Sequence, residues 1–448
     1  MEGPTVTSAS AGTPAALTHR RVIVAFSGLM LAILLAALDA TIVATALPTI
    51  VGELGGLSHL SWVVTSYLLA QTVVTPLYGK LGDLYGRKRV LQSGVVLFLI
   101  GSALCGISRT MMQLVLFRAL QGLGGGGLMV TAQATVGDLV SARERGRYQG
   151  IFGAVFGIAS IAGPLLGGFF TTHLSWRWIF YVNLPVGVLA IVVLAATLPS
   201  QASRQRHAID YAGAGLLAIV LAALVLLTDL GGGVIPWRSP TSWALGAAAA
   251  LGLVGFVAAE RRAREPVLPL ELFRNPSFTI SCLVGLIVGF ALFGSVTYLP
   301  LFLQIVQRAD PTTSGLLMLP FMGGMLLTSI ASGQFISRTG RYRAFPIVGS
   351  AVMTLGLFLF SRMQPGVSTL ETMVYMLIVG LGLGLVMQVL VIIVQNAVDY
   401  RVLGVATSGS LMFRLVGGSL GTAVLGAILG ARLRVELPRL LPPGAAHA

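Results

Sequence analysis

Apolar residues in this chain do not alternate with polar ones; they run in long continuous stretches broken by short, arginine-rich loops. A helix needs roughly 20 apolar residues to cross a hydrocarbon core. Thirteen stretches meet that demand: residues 22–48, 61–79, 90–108, 111–134, 149–171, 178–199, 210–228, 242–259, 278–303, 314–335, 344–361, 372–395 and 404–430. Spanning β-strands would be shorter and would alternate, which excludes a barrel. The pattern therefore predicts an all-α polytopic membrane protein.

Two loops far apart are spelled almost alike. Gly79 to Arg89 reads GKLGDLYGRKR, and Gly333 to Arg343 reads GQFISRTGRYR. Glycines stand seven apart in both copies (Gly79/Gly86, Gly333/Gly340), and arginines follow at the same offsets (Arg87/Arg341, Arg89/Arg343). A second echo joins GLGGGGLM from Gly122 to GLGLGLVM from Gly380, a register that sets Met376 opposite Arg118. The chain is thus an internal duplication. Membrane proteins built from two related halves that rock about a site between them are characteristically transporters.

Composition agrees: 55% of residues are hydrophobic, 10% are charged and the mean hydropathy is +0.89, whereas soluble chains carry about a quarter charged residues. The net charge of +14 does not point to nucleic acid, because its distribution is that of a membrane topology. With the N-terminus assigned to the cytoplasm, the inner loops hold Arg20, Arg21, Lys80, Arg87, Lys88, Arg89, Arg143, Arg145, Arg147, Arg204, Arg206, Arg261, Arg262, Arg264, Arg274, Arg338, Arg341, Arg343 and Arg401. The outer loops hold only Arg109, Arg177, Arg238, Arg308 and Arg362. That is the positive-inside bias. The first twenty residues lack the features of a cleaved secretory signal, so the first span reads as an uncleaved helix. Cys105 and Cys282 lie in apolar spans of opposite halves, which disfavours a disulfide. No His/Cys/acid cluster resembles a metal site and no phosphate loop or nucleophile elbow stands in a strand-to-helix context, so neither a metal nor another cofactor, nor an enzyme, is expected.

Only Asp39, Arg118 and Arg414 are charged residues deep within spans. A charge at the bilayer centre costs a few kcal/mol on insertion scales and persists where it meets a partner or a wet cavity. Asp39 sits ~6 Å outward of the middle of its span. Desolvation there would let a carboxyl exchange a proton near neutrality; the alternative is a structural hydrogen bond or ion pair. Gln121 lies one turn beyond Arg118 on the same face, and Gly122, Gly124, Gly125, Gly126 and Gly127 permit close helix approach. Arg118 is either part of a proton site or cavity, or structural. For Arg414 function and structure stay equally open. In the fifth span, GIASIAGPLLGG offers Gly157, Gly163, Gly167 and Gly168 as small faces and Pro164 as a bend; ordinary helix packing would use them equally well. Phe290, Phe293, Phe321, Met322, Met325 and Met412 suit apolar ligands but more often pack helices.

Taken in order, LDATIVATALP at Leu38 to Pro48, GKLGDLYGRKR, RALQG and GPLLGG resemble the signatures of the major facilitator superfamily, and within it the fourteen-helix drug:proton antiporters. The resemblance covers essentially the whole chain, including REPVLPLELFRNPSF. It implies a major facilitator fold: an N-terminal tail (1–21), a six-helix bundle (22–199), two inserted helices with basic linkers (200–277), a C-terminal bundle of which five helices are visible (278–430), and a polar tail (431–448). It further implies that Asp39 serves proton coupling or substrate charge, that Arg118 assists proton transfer, that Gly79, Asp83, Gly86, Arg87 and Arg89 gate the inner side, and that Gly163, Pro164, Gly167 and Gly168 form an antiporter hinge. Asp83 can pair with arginines or a helix N-terminus. Arg414, before a paired glycine, also fits that branch. The family has fourteen spans, and ARLRVELPRLLPPGAAHA is too polar to supply the last, so a chain lacking its final helix is expected.

The function implied is export of lipophilic drugs or antibiotics in exchange for protons across a bacterial inner membrane. Its partners would be a small lipophilic substrate, protons and membrane lipid, with the chain working as a monomer. Lipophilic monovalent cations or neutral amphiphiles fit better than divalent cations, because no second acid lies in spans 9 to 13. Uptake of a metabolite by a uniporter or symporter, or a sensor that transports nothing, are the alternatives.

Overall fold

A computed structural model describes residues 19–55, 60–141, 144–198, 210–231, 235–309, 311–364 and 366–440. Its helices are α1 (His19–Leu54), α2 (Leu60–Tyr85), α3 (Arg87–Gly106), α4 (Met111–Leu139), α5 (Arg145–His173), α6 (Trp178–Tyr181), α7 (Asn183–Thr197), α8 (Tyr211–Leu230), α9 (Pro240–Glu260), α10 (Pro276–Ile305), α11 (Pro311–Leu317), α12 (Leu319–Thr339), α13 (Ala344–Ser361), α14 (Thr369–Ala397) and α15 (Leu403–Leu440). The short α6 and α11 lead into α7 and α12, leaving one long helix for each span read from the sequence. Twelve segments are long and apolar enough to cross a membrane. The thirteenth helix, α2, has the length but dilutes its apolar residues with Thr65, Ser66, Gln71, Thr72, Thr75, Lys80 and Asp83. α15 continues as helix ten residues into the segment expected to be a polar tail.

Local chemistry sets where helices begin. Thr110 caps α4 by accepting from Gln113 N, Ser239 and Asn275 cap α9 and α10 just before Pro240 and Pro276, and Ser368 with Glu371 forms a reciprocal box at the start of α14. Gly86 and Gly340, the second glycines of the repeated loops, both have positive φ (90° and 72°), which a side chain would strain. One conformational demand thus explains the same letter in both copies.

The repeated glycines mark the same contacts in both halves. A Cβ on Gly122 would lie 2.4 Å from the Tyr67 carbonyl oxygen, and one on Gly380 would lie 2.1 Å from that of Phe321. Likewise Gly124 meets Phe98 N at 2.3 Å and Gly382 meets Met353 N at 2.5 Å. So α4 wedges between α2 and α3 just as α14 wedges between α12 and α13. Across the halves the pairing is reciprocal: Gly79 of α2 backs onto Gly404 of α15, and Gly333 of α12 backs onto Gly146 of α5. α8 and α9 pack on each other, with α8 against α2 and α15 beside one of these seams.

Hydrogen bonds that join α1–α7 to α10–α15 gather towards the end carrying the arginine-rich loops. Gln395 Nε2 donates to Gln133 O (3.0 Å), and Arg145 Nη1 donates to Asn396 Oδ1 (2.9 Å) and Gln395 O (3.1 Å). Ser329 Oγ donates to Gly150 O (3.4 Å) and Ser408 Oγ to Pro76 O (3.5 Å). The halves are zipped together at that end.

Candidate functional site

Asp39 lies on α1 seventeen residues beyond Val22, about 25 Å along the helix from the arginine-rich end. It is completely buried, among Ala36, Ala37, Leu38 and Ile42. A carboxylate at such a place needs partners, and two helices supply them. Arg118 Nη1 of α4 donates to Oδ2 at 2.6 Å. Gln121 Nε2, one turn on, donates to Oδ1 at 2.8 Å, and Asn183 Nδ2 at the start of α7 donates to the same oxygen at 3.3 Å. Ser102 Oγ of α3 accepts from both amides (3.2 and 3.0 Å) and donates to Phe180 O (2.8 Å).

Arg118 does not depend on Asp39 alone. Its Nε donates to Val63 O (3.3 Å), its Nη1 also donates to Gln121 Oε1 (2.8 Å), and its guanidinium carbon stands 4.1 Å from the centre of the Tyr67 ring. Two oxygens beside the pair, Tyr67 Oη and Asn183 Oδ1, are buried without a protein hydrogen bond. Loss of the charge on Asp39 would therefore leave Arg118 with a carbonyl, an amide and an aromatic face. Among the described residues the second half contains nothing similar: Phe321, Met376 and Val379 stand where the glycine register puts Tyr67, Arg118 and Gln121, and they belong to one apolar core cluster.

A second charged group sits at the arginine-rich end. Arg87 bonds to the Asp83 carboxylate through Nη2 and to Asp138 Oδ2 through Nε (3.1 Å), with all three side chains under 10% exposed. Asp83 also accepts from Gly404 N (3.1 Å) and Val405 N (2.8 Å), the unsatisfied amides that open α15. One carboxylate thus ties a first-half arginine to a second-half helix. Of the expected gating residues, Gly79, Asp83, Gly86 and Arg87 meet here, whereas Arg89 is exposed and takes no part. Lys88 instead donates to Ala195 O and Leu198 O, closing the end of α7.

The expected hinge residues separate into two kinds. A Cβ on Gly163 or Gly167 would fall 2.1 Å from Thr41 Oγ1 or Thr45 Oγ1 of α1. Thr41 Oγ1 donates to Ala159 O (3.1 Å), just ahead of Pro164, which has no N–H to bond within α5. Gly157 has only ordinary contacts near Leu326 and Gly168 has open space around it. The face of α5 that matters is therefore the one seated on α1, two residues from Asp39.

Arg414 stands apart. It is 7% exposed, eleven residues into α15, and among the described residues it has no hydrogen bond, ion pair or ring contact.

Sequence reasoning missed several participants. Asn183, Ser102 and Tyr67 are ordinary letters in apolar helices. Asp138 lies in α4 beyond the end of the span read from the sequence and went unnoticed, although an acid within reach of a motif arginine was a usable signal. At the opposite end of the first bundle Glu53 accepts from Trp176 Nε1 (2.6 Å) and Arg177 Nη1 (2.5 Å). The hydrogen bond from Arg177 holds the Glu53 carboxyl below its ordinary range.

A sequence profile of the family described as Major Facilitator Superfamily matches residues 29–422. An uncharacterised MFS-type transporter of Mycobacterium tuberculosis is 46% identical over 452 residues, a match covering 99% of this chain and 65% of the relative. The multidrug transporter protein MdtP of Bacillus subtilis is 41% identical over 406 residues, covering 91% of this chain and 75% of that protein. Among solved structures, the human organic anion transporter MFSD10 superposes with a TM-score of 0.67 over 93% of this chain and 95% of its own, at 17% identity, a likeness of fold alone.

Proposed function

The chain belongs to the Major Facilitator Superfamily, and we propose that it exports lipophilic small molecules from the cytoplasm in exchange for protons. The observation that carries this reading is the ion pair between Asp39 and Arg118, fully buried yet built so that Arg118 keeps partners when Asp39 is neutral. Multidrug transport by the Bacillus subtilis relative supports the substrate class. The excess of arginine at one end supports placing that end in the cytoplasm, and the zipped contacts there correspond to an outward-facing state.

The cycle follows from the contacts. Protonation of Asp39 removes the charge that orders Arg118, Gln121 and Asn183, and α1 loosens relative to α4 and α7. Thr41 passes the change to α5 at Gly163 and Pro164, and α5 is one partner of the α5–α12 seam. The Asp83 contact with α15 then opens, the halves rock, and the cytoplasmic side receives the proton as substrate binds. Exchange requires proton and substrate to favour different states.

The test is substrate-evoked proton movement in everted vesicles holding the full chain or its Asp39→Asn variant. Alkalinisation of an acid-loaded lumen on adding a panel of lipophilic compounds, lost in the variant, is expected. Equal proton movement in both sinks the reading, and alkalinisation that accompanies exit of preloaded substrate from the lumen would mean proton-coupled uptake instead.

A further inference from the structure

Arg414 lies about 16 Å into α15 from Leu403, close to the middle of a 30 Å hydrocarbon core. A guanidinium is charged at any accessible pH, and burying it without a partner at that depth is costly, so intramembrane cations that persist face a partner or a cavity. Its nearest structural relation in the first half shows where it stands. The register that sets Gly404 on Gly146 and Ser408 on Gly150 sets Arg414 on Phe156. Phe156 packs at once against the apolar clusters of both halves, so it lies on the α5–α12 seam, and the matching place held by Arg414 is on the α2–α15 seam. The backbone of Arg414 is seated on α10, where its carbonyl oxygen would lie 2.0 Å from a Cβ on Gly289; the seat has room because both contacts there, Gly289 and Gly417, are glycines.

Among the described residues no acid is in a position to neutralise it. The helices α10–α15 carry only Glu371 and Glu436 as acids, one opening α14 and the other near the end of α15. In the first half Asp39 is held by Arg118, and Asp83 and Asp138 by Arg87. Among the described residues, the middle of the α2–α15 seam therefore carries one uncompensated positive charge and no available carboxylate. Sites between the repeats of such transporters, near the membrane midplane, are where substrate binds.

We propose that Arg414 is the recognition residue for an acidic group, so that the favoured substrates are lipophilic acids rather than lipophilic cations. A planar guanidinium matches a carboxylate or sulfonate with two parallel hydrogen bonds. The inference rests on the exporter reading for its direction of transport, not for the binding itself.

The experiment uses the full chain in phosphatidylcholine nanodiscs, with no proton gradient, at mildly alkaline pH. Three probes share one alkyl chain and differ only in head group: dodecanoate, dodecanol and dodecyltrimethylammonium. The concentration giving half-maximal thermal stabilisation is read for the native chain and for Arg414→Gln, Arg414→Lys and Arg414→Met. Dodecanoate is expected to act at concentrations at least about tenfold below those of the other two on the native chain. That preference should vanish in Arg414→Gln and survive in part in Arg414→Lys. Arg414→Met should melt higher than the native chain without ligand, showing that the fold tolerates loss of the charge. A native chain indifferent to head group, or a preference for dodecanoate that persists in Arg414→Gln, overturns the proposal. Because no gradient is involved, failure here leaves the Asp39 exchange test untouched, and failure of that test leaves this one standing.

Discussion

The two halves of this molecule share a skeleton and divide its chemistry unequally. Gly122, Gly124 and Gly126 make the same backbone approaches as Gly380, Gly382 and Gly384, and the α2–α15 seam mirrors the α12–α5 seam. Yet the first half buries Tyr67, Arg118 and Gln121 beside Asp39 where the second buries Phe321, Met376 and Val379. At the seams, Asp83 and Asp138 bracket Arg87 on one side, while the neutral Asn396 accepts from Arg145 on the other. Duplication preserved the geometry that lets two bundles rock, because shape must match on both sides of a pivot. Under the proposed exchange, charge was free to differ, since one proton-binding group suffices to bias a two-state equilibrium.

The comparison breaks first if its shape is not shared. Leucine at Gly124 or at Gly382 would drive a side chain into the backbone nitrogen of Phe98 or Met353. Each is expected to cost more than about 4 kcal/mol and to abolish folded protein in a detergent melting assay. A variant that folds normally in one half only would show that the halves are not equivalent in packing.

The next largest effect concerns the seams. Asp83→Ala leaves Arg87 partly unpaired and α15 uncapped, and should destabilise the zipped state by about 3 kcal/mol. Asn396→Ala removes one hydrogen bond from the opposite seam and should cost about 1 kcal/mol. Reactivity of a cysteine introduced at Ser408, buried at the α2–α15 seam beside Gly79, compared between the two backgrounds, reads the difference; equal reactivity would remove the charge asymmetry from the account.

The smallest effect is a pH dependence at the other end of the first bundle. Glu53 is held below its ordinary range by Arg177, so its contribution is present above the unfolded carboxylate value and lost as pH falls through the lower folded value. Half-exposed, it is worth little. Melting curves of the native chain and Glu53→Gln should differ slightly near neutrality and converge in strong acid; a gap that widens on acidification would contradict the assignment.

Much of this was legible in the sequence, for physical reasons. Hydrocarbon thickness fixes span length, so all thirteen long helices could be counted, α2 included despite its polar face. The repeated loops gave the duplication because Gly86 and Gly340 meet the same backbone requirement. What could not be read is partnership. Asp39 and Arg118 are 79 residues apart, and no pattern on either helix says that α1 and α4 cross there. Asn183 was invisible because a lone amide in an apolar helix has no signature until its neighbours are known. The clasp of Asp83 on Gly404 N and Val405 N was half visible: an acid suited to a helix end was expected, but backbone donors carry no letter. Arg414 is the converse case, since its lack of partners becomes informative only once every neighbour is in place.

The central claim is that protonation of Asp39 in the first half controls the seam at the arginine-rich end. Spin labels at Arg89 and Arg343, exposed and equivalent in the two halves, report the separation of the bundles there; Cys105 and Cys282 are buried. In the native chain the distance distribution should change between mildly alkaline and mildly acidic pH, and Asp39→Asn should show the acidic distribution at both. An Asp39→Asn chain that responds to pH as the native one does would contradict the account.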